Sequence, residues 1–331
     1  MRGDSEVCCL FFYTLVMGVT RASAYKKINY WVVKGVFGLK RQQSNMIFAA
    51  VLLLPAIILM GLTIISPLIS SIYLSFTDYT LMNQESKFNS FKHYSSILTS
   101  PDFYHSLRIT VVYVLFAVVF DLLLGMIMAL LLNRNIRLRA VFRSLIMIPW
   151  AIPTIVTALV FMWIYQPDYG VLNAIVQRLG WATENINWLT SSKWALFSIV
   201  VVAVFRQTPL VCVMILAGLQ NISVSLYEAA KIDGASGWRL FTSVTLPLLK
   251  PVITSVSLIM VVNNFQMFTL FFTLTGGGPA GSTSSLAILT YETAFSRYDL
   301  SRGSAIGVVW LVLLFAFSLV YTRIMNRNTD H

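Results

Sequence analysis

Long stretches without a single charged residue divide this sequence, and they constrain its fold more than any other feature. No charge occurs between Arg41 and Asp78, between Arg143 and Asp168, between Lys250 and Glu292, or between Arg302 and Arg323. A helix needs about 20 apolar residues to cross the hydrocarbon core of a bilayer. The runs are too long for barrel strands, and they do not alternate between polar and apolar residues. The sequence therefore predicts an all-α membrane protein.

Two further apolar stretches are each interrupted by one charge, at Asp121 and at Arg206. The prediction is then six transmembrane helices, near residues 47–76, 109–132, 144–165, 195–219, 252–274 and 303–324. Composition agrees, because only 11% of the residues are charged, whereas a soluble domain has about 25%. We expect one six-helix domain over residues 46–325, an arm at 1–45 and a tail at 326–331.

The net charge of +11 follows from the membrane topology. If both termini lie on one side, 16 of the 24 Lys and Arg residues fall on that side, and seven fall on the other together with seven acidic residues. Positive residues accumulate on the cytoplasmic side. The N- and C-termini are therefore predicted to be cytoplasmic, and the basic balance calls for a lipid bilayer and no nucleic acid.

The first 45 residues allow two interpretations. Val7–Val19 is apolar, and Ala22-Ser23-Ala24 resembles a signal-peptidase site. Asp4 and Glu6 in the leading segment, and the lysines that follow the apolar segment, argue against export. We therefore expect a cytoplasmic arm in which residues 28–39 form an interfacial amphipathic helix.

The chain shows no pattern typical of an enzyme or a metal protein. Its three cysteines fit no disulfide framework, and its three histidines are scattered, so no metal site is predicted. No Gly-x4-Gly-Lys-Ser/Thr segment for nucleotide binding occurs. Gly276-Gly277-Gly278 leads into Pro279 and not into a helix with a lysine, so it is no phosphate cradle. We expect no catalytic residue and no cofactor in this chain.

The connection at residues 222–251, between the fourth and fifth spans, is more than a simple loop. Glu228–Ile232 favours a helix, and Gly234 can adopt the positive φ that ends one. Ser236 is a candidate N-cap for a second short helix, and two prolines, Pro247 and Pro251, are predicted to restart the chain at the fifth span. By these properties alone, the loop is a bent helix pair that could simply cover the end of the bundle.

The order of residues in this loop carries a family resemblance. Glu-Ala-Ala at 228–230, Asp-Gly-Ala at 233–235, Leu-Pro at 246–247 and a later proline resemble the EAA loop of binding-protein-dependent ABC importer permeases. The resemblance implies the type I ABC importer permease fold in a bacterial or archaeal cytoplasmic (inner) membrane. It also implies four partners: two ATPase subunits that bind ATP and Mg, a second and different permease subunit, and an extracytoplasmic solute-binding protein.

The same resemblance assigns roles within the loop. Glu228 would be the charged contact to the ATPase, and Asp233 with Gly234 would fix the corner between the two helices. Trp238 would fill the apolar side of the docked helix, although it could instead anchor at the bilayer interface. The implied coupling residues are Glu228, Ala229, Ala230, Asp233, Gly234, Ala235, Trp238 and Phe241.

Two other segments resemble permeases for oligosaccharides and glycerol phosphate. These are Leu274–Pro279 followed by Tyr291, and Phe205–Pro209 in the fourth span. The first implies a docking surface for the solute-binding protein at Gly277, Gly278, Pro279 and Tyr291. The implied solute is a carbohydrate, in the first place an oligosaccharide, with glycerol phosphate or another anionic saccharide as the alternative.

Amide side chains in the fifth span are candidates for the substrate path, because polar groups within a span usually face the bundle interior or a water-filled route. Asn263 and Gln266 share a helix face, and amides both donate and accept hydrogen bonds, which suits a polyol. Phe265 or Phe268 could stack on a sugar ring. The alternative is that the amides only bond neighbouring helices. The predicted path residues, placed by the family resemblance, are Gln207, Thr208, Leu210, Asn263, Asn264, Gln266 and Phe268.

Two charges within spans leave alternatives open. Asp121 is expected to serve packing and hydrogen bonding. Arg206 could snorkel, pair with Asp121 or another acid, or contact an anionic solute. A secondary transporter would use such charges to couple ion flow, but the internal repeat typical of that class is not evident. A membrane enzyme would need clustered carboxylates or histidines, and the acids here are dispersed.

Overall fold

The computed structural model describes residues 41–80, 87–134 and 137–327. In that part of the chain the regular elements are helices, joined by turns and by one isolated bridge between Thr77 and Phe88. The chain divides into two units, residues 1–69 and 70–331. The predicted interfacial helix at 28–39 lies outside the described residues.

The helices are numbered here in chain order. They are α1 (Arg41–Met60), α2 (Ser66–Leu74), α3 (Lys92–Leu98), α4 (Pro101–Leu132), α5 (Arg139–Ile146), α6 (Ile148–Ala151), α7 (Thr154–Ile164), α8 (Val171–Arg178), α9 (Ala195–Gln220), α10 (Val224–Ile232), α11 (Gly237–Leu240), α12 (Leu246–Phe265), α13 (Thr269–Leu274), α14 (Leu286–Tyr291) and α15 (Leu300–Arg327). Wider π-helical turns occupy Gly61–Ile65, Phe241–Thr245 and Glu292–Ser296.

Among the described residues, five helical segments are long and apolar enough to cross a bilayer: Phe48–Leu74, Pro101–Leu132, Ala195–Gln220, Gly237–Phe265 and Leu300–Met325. A sixth span is formed if the bent pair Arg139–Ala151 and Thr154–Ile164 is counted as one. These findings confirm the prediction of an all-α membrane protein. The second span begins earlier than predicted, at Pro101, because proline suits the first turn of a helix.

The third predicted span is not a straight helix. Its two halves meet at an angle of 88°, and the break falls at Ile152 and Pro153, which both have extended backbone angles. Proline lacks the N–H that would continue the helix, and its ring disfavours helical angles in the preceding residue. Hydropathy predicted the membrane segment, but Pro153 turns it sharply.

The fifth span also differs from its prediction at both ends. Helical backbone runs without a break from Gly237 through the π-helical turn Phe241–Thr245 to Phe265. Contrary to expectation, the chain does not restart after a break, because the π-helical turn leads directly into α12. Pro247 does lie in the first turn of α12, as predicted, whereas Pro251 lies inside that helix. At the other end α12 stops at Phe265, and α13 begins only at Thr269.

The core lies around α9, which is the most buried of the long helices. At two glycines, the neighbouring helices α4 and α12 pack closely against α9. A Cβ atom added at Gly125 of α4 would lie 2.6 Å from Val211 Cγ1, and one added at Gly218 of α9 would lie 3.0 Å from Leu249 and Val252 of α12. Small residues at such positions let helix backbones approach closely in membranes. This packing fixes the positions of α4, α9 and α12, which carry the polar residues considered next.

Candidate functional site

The loop between α9 and α12 contains the corner that the sequence predicts. Helix α10 ends at Ile232, and Gly234 has a φ of +79°. The N–H of Ala235 donates to the carbonyl of Ala230 (2.9 Å), and the N–H of Gly234 donates to that of Lys231 (3.0 Å). This pair of bonds is the Schellman arrangement, which requires a left-handed residue that glycine adopts without strain. The predicted role of Gly234 as a helix terminator is confirmed.

A side-chain hydrogen bond joins the first helix of the loop to the segment that follows the second. Tyr227 Oη lies 3.1 Å from Thr245 Oγ1, which links α10 to the π-helical turn before α12. Ser236 occupies the N-cap position of α11, as predicted, but its side chain makes no capping hydrogen bond. The corner is therefore stabilised mainly by backbone geometry.

The outer surface of this loop carries both acidic and large apolar side chains. Glu228 and Asp233 are exposed. Ile232 is 87% exposed and Trp238 is 75% exposed, and the Trp238 ring lies 5.7 Å from the Phe241 ring. Contiguous apolar groups at a surface mark an interaction site. The loop thus offers exposed carboxylates and an exposed indole to another protein or to the membrane surface.

At the base of the loop, Gln220 at the end of α9 forms hydrogen bonds to α5, the helix that follows the second span. With its amide oxygen facing the guanidinium groups, Gln220 accepts hydrogen bonds from Arg139 Nη2 (2.8 Å) and from Arg143 Nη2. Both arginines belong to α5. Two of the basic residues that the charge analysis assigned to the cytoplasmic side therefore lie at the same end of the bundle as the loop.

A cavity of about 360 Å³ lies between α6, α9 and the end of α12. Four of the predicted path residues line it: Gln207, Leu210, Asn263 and Gln266. The complete lining is Trp150, Arg206, Gln207, Leu210, Asn263, Gln266 and Met267. Polar amides, a guanidinium and an indole therefore surround one space within the membrane-spanning part of the chain.

Asn264, in contrast, is the centre of a buried hydrogen-bond junction. Its Oδ1 accepts from Tyr113 Oη (2.9 Å) and from Gln207 Nε2 (2.8 Å), and its Nδ2 donates to the carbonyl of Met260 (3.0 Å). Asn264 is 1% exposed. These bonds join α4, α9 and α12. Only Gln207 belongs both to the junction and to the cavity wall, so adjacent amides of the fifth span face different surroundings.

Asp121 and Arg206 do not pair with each other. Asp121 is fully buried, and its Oδ1 accepts from Thr208 Oγ1 at 3.0 Å. The Nε of Arg206 donates to Thr154 Oγ1 at 3.0 Å. Thr208, a predicted path residue, is thus directed towards α4 and away from the lining of the cavity.

Phe268 lies in a cluster of aromatic rings beyond the end of α12. Its ring is 5.0 Å from that of Phe272 and 5.1 Å from that of Tyr291, and Tyr291 in turn lies 5.3 Å from Phe295. The structure therefore brings together one residue of the predicted path and one of the predicted docking surface. Phe265, the other candidate for sugar stacking, is stacked instead on Trp310.

The glycine-rich segment after α13 is a tightly bonded turn. Gly277 is buried with a φ of +89°, and a Cβ there would lie 3.0 Å from Ile288. Thr283 Oγ1 donates to the carbonyl of Gly278 at 2.7 Å. Gly278 and Pro279 are only half-buried, so part of this turn reaches the surface of the chain.

Sequence reasoning missed three residues of these sites: Trp150 and Met267 in the cavity wall, and Tyr113 in the junction. Trp150 reaches the cavity because α6 ends at the bend before Pro153. The only signal for it was the proline pair at 149 and 153, which indicates an irregular helix. Tyr113 carried no signal, because its partner lies 151 residues away in sequence.

Comparison with known proteins agrees with this architecture. Residues 121–330 match the family described as binding-protein-dependent transport system inner membrane component. The chain is 36% identical to the trehalose/maltose transport system permease protein MalF of Thermococcus litoralis, over 84% of this chain and 94% of that one. It is 37% identical to the sulfoquinovosyl glycerol transport system permease protein SmoG of Agrobacterium fabrum, over 86% and 92%.

A solved structure shares the fold. One chain of a bacterial alginate ABC transporter, crystallised with a periplasmic protein that holds an alginate pentasaccharide, superposes with a TM-score of 0.75 at 20% identity. The match covers 87% of this chain and 96% of that chain. Together with the exposed helical corner and the bent third span, these matches show that the chain belongs to the family of inner membrane components of binding-protein-dependent ABC transport systems.

Proposed function

We propose that this chain forms half of the translocation path for a carbohydrate in an ATP-driven importer. The relatives named for trehalose/maltose and for sulfoquinovosyl glycerol support this solute class. The chain itself performs no chemistry. ATP and Mg are bound, and ATP is hydrolysed, by separate ATPase subunits, and the energy is used to bias which face of the helical bundle is open.

One observation carries the proposal, namely the exposed corner between α10 and α11. Its backbone is fixed by the Schellman bonds at Gly234, while Glu228 and the ring of Trp238 remain uncovered. A fixed corner with an uncovered carboxylate and indole suits insertion into a cleft of another protein, where aromatic anchors contribute most of the binding energy. Two copies of the ATPase would dock, one on this chain and one on a second, different permease subunit.

The orientation of the chain follows from the same loop. Docking to a cytoplasmic ATPase places α10 inside the cell, and Arg139 and Arg143 lie at that end of the bundle. Cytoplasmic Lys and Arg residues are the expected pattern. With six spans, both termini then lie inside, and the turn around Gly278 and Pro279 faces the solute-binding protein outside a bacterial or archaeal inner membrane.

The cavity beside Asn263 and Gln266 is the proposed substrate path. Both amides line it together with Gln207 and Leu210. Their donors and acceptors match the hydroxyl groups of a sugar. Asn264 and Thr208, whose polar groups bind neighbouring helices, have a positioning role in this scheme and do not contact the solute.

Co-purification of the complex tests the proposal. A tagged chain, expressed with its partner permease, ATPase and binding protein, is expected to retain the ATPase and to import a carbohydrate only while ATP is supplied. Glu228→Arg reverses the charge at the corner and should release the ATPase without reducing the yield of folded chain. Asp168→Arg reverses an exposed acid outside the loop and serves as the matched control. Transport that continues with no ATPase present would refute the proposal.

A further inference from the structure

Arg206 is an intramembrane cation that has no carboxylate partner among the described residues. It is the twelfth residue of the 26-residue helix α9, which places it about 16 Å along the helix axis from Ala195. It forms no ion pair with any carboxylate of residues 41–80, 87–134 and 137–327, where Asp78 takes part in the only ion pairs given by the structure. A charge within a span is costly unless it meets a partner or a polar path.

The guanidinium is held in place, but its hydrogen-bonding capacity is mostly unused. The Nε group donates to Thr154 Oγ1 at 3.0 Å, and Thr154 is the first residue of α7, directly after the bend at Pro153. No bond joins the remaining guanidinium N–H groups to the described residues. Because Arg206 lines the cavity and is only half-buried, these donors are available to a ligand in that space.

The described acid in the same region of the spans, Asp121, does not reach Arg206. Its Oδ1 accepts from Thr208 while its Oδ2 has no hydrogen-bond partner among the described residues, and Asp121 does not line the cavity. A phospholipid headgroup is a poor alternative, because phosphates lie at the ends of the spans and Arg206 lies near the middle of α9. The cavity that Arg206 lines can therefore receive a ligand that carries the missing anion.

The other residues that line the cavity indicate which chemical groups such a ligand would carry besides its anion. Trp150 contributes an indole, on which a sugar ring can stack, and Asn263 and Gln266 contribute amides for hydroxyl groups. We propose that the cavity binds an acidic saccharide, whose carboxylate or sulfonate pairs with the guanidinium of Arg206. This inference rests on the proposed function and narrows the proposed solute from carbohydrates in general to anionic saccharides. Charge-assisted hydrogen bonds between arginine and an oxyanion are among the stronger hydrogen bonds.

Matched sugars test the charge preference directly. The complete transporter, consisting of this chain, its partner permease and the ATPase, is placed in lipid nanodiscs without binding protein. Two pairs of probes are titrated: maltose against its C6-oxidised uronate, and glucosyl glycerol against sulfoquinovosyl glycerol. Binding is read by calorimetry and by tryptophan fluorescence, because Trp150 lines the cavity. The acidic member of at least one pair is expected to bind at least about tenfold more tightly.

Three variants assign the preference to one residue. Arg206→Gln is expected to remove the advantage of the acidic probe and to leave the neutral probe unchanged, whereas Arg206→Lys keeps the charge and most of the advantage. Arg178→Gln removes an exposed arginine from α8 and should change nothing. Size-exclusion profiles and ATPase co-purification check that each complex is intact.

Different results would overturn the acidic-saccharide assignment and the proposed import of a carbohydrate. Equal binding of neutral and acidic probes, or an acidic preference that survives Arg206→Gln, overturns the acidic-saccharide assignment and leaves the carbohydrate importer standing. No binding of any saccharide and no carbohydrate import by an intact complex overturns both. Preference for the acidic probe that depends on Arg206 supports both.

Discussion

Gln207 Nε2 donates to Asn264 Oδ1 at 2.8 Å, across the interface of α9 and α12. Two amides that the sequence assigned to the same route are therefore bonded to each other. Tyr113 adds a third helix to the contact. The amides of the fifth span therefore lie in two different surroundings. Asn263 lines the cavity, whereas Asn264 forms hydrogen bonds to neighbouring helices.

Removing the junction should destabilise the bundle. Asn264→Ala leaves the buried donors of Gln207 and Tyr113 without an acceptor, and we expect the free energy of unfolding to fall by about 1–3 kcal/mol. Thermal unfolding in detergent, followed by size-exclusion chromatography, measures the loss as a lower Tm. Asn263→Ala, which alters the cavity wall only, should leave Tm near that of the unmodified chain. Equal Tm values for the two variants would contradict the assignment of Asn264 to the helix interface and of Asn263 to the cavity wall.

The corner of the coupling loop provides a second test. Gly234→Ala forces a side chain into a left-handed conformation, which costs about 1–2 kcal/mol. We expect ATP hydrolysis stimulated by binding protein to decline while saccharide binding persists. Gly237→Ala is the matched control, because a Cβ at either position meets no atom within 4 Å but Gly237 lacks the positive φ. An unchanged ATPase rate in Gly234→Ala would argue that the corner has no part in coupling.

Asp121 distinguishes a structural carboxylate from an ion-coupling one. Asp121→Asn keeps an acceptor for Thr208 Oγ1, so transport should persist and stability should change by no more than about 1 kcal/mol. Asp121→Leu removes the acceptor and should lower Tm. Uptake into proteoliposomes with and without a proton gradient completes the measurement. Loss of transport in a stable Asp121→Asn variant would instead favour a proton-coupled transporter.

Close packing at Gly125 gives a fourth prediction. A Cβ there would meet Val211 Cγ1 at 2.6 Å, and overpacking of this kind typically costs about 1–3 kcal/mol. Gly125→Ala should therefore lower Tm. Gly61→Ala, at a helical glycine whose Cβ would meet nothing within 4 Å, should be neutral or slightly stabilising, because alanine loses less conformational freedom in a helix. A harmless Gly125→Ala would mean that α4 and α9 can separate at low cost.

Much of the fold could be predicted from the sequence because charge-free length is a direct signal of a membrane span. The loop corner was predictable as well, since Gly234 follows a short helix-forming segment and local backbone preferences decide such turns. The break at Pro153 was harder to predict. Proline inside a span can produce either a kink or a full reversal, and neighbouring helices decide between them.

The substrate route could be predicted only in part, for a different physical reason. Asn263 and Asn264 are adjacent and chemically identical, and one-dimensional patterns give no means to tell them apart. Their roles depend on Tyr113 and Gln207, which are brought to Asn264 by the packing of other helices. Trp150 likewise enters the cavity only because of the bend that follows it. Tertiary contacts, and not local preference, separate the side chains that fix helices from those that face open space.

The uninterrupted helical path from Gly237 to Phe265 has a mechanical consequence. Its 29 residues span about 40 Å at 1.5 Å per residue, with the exposed Trp238 at one end and Asn263 close to the other. A tilt of about 5° about one end of a rod of that length moves the opposite end by about 4 Å. A tilt imposed at the loop is therefore carried along this helix to the amides of the cavity, through the π-helical turn Phe241–Thr245 and past Pro251.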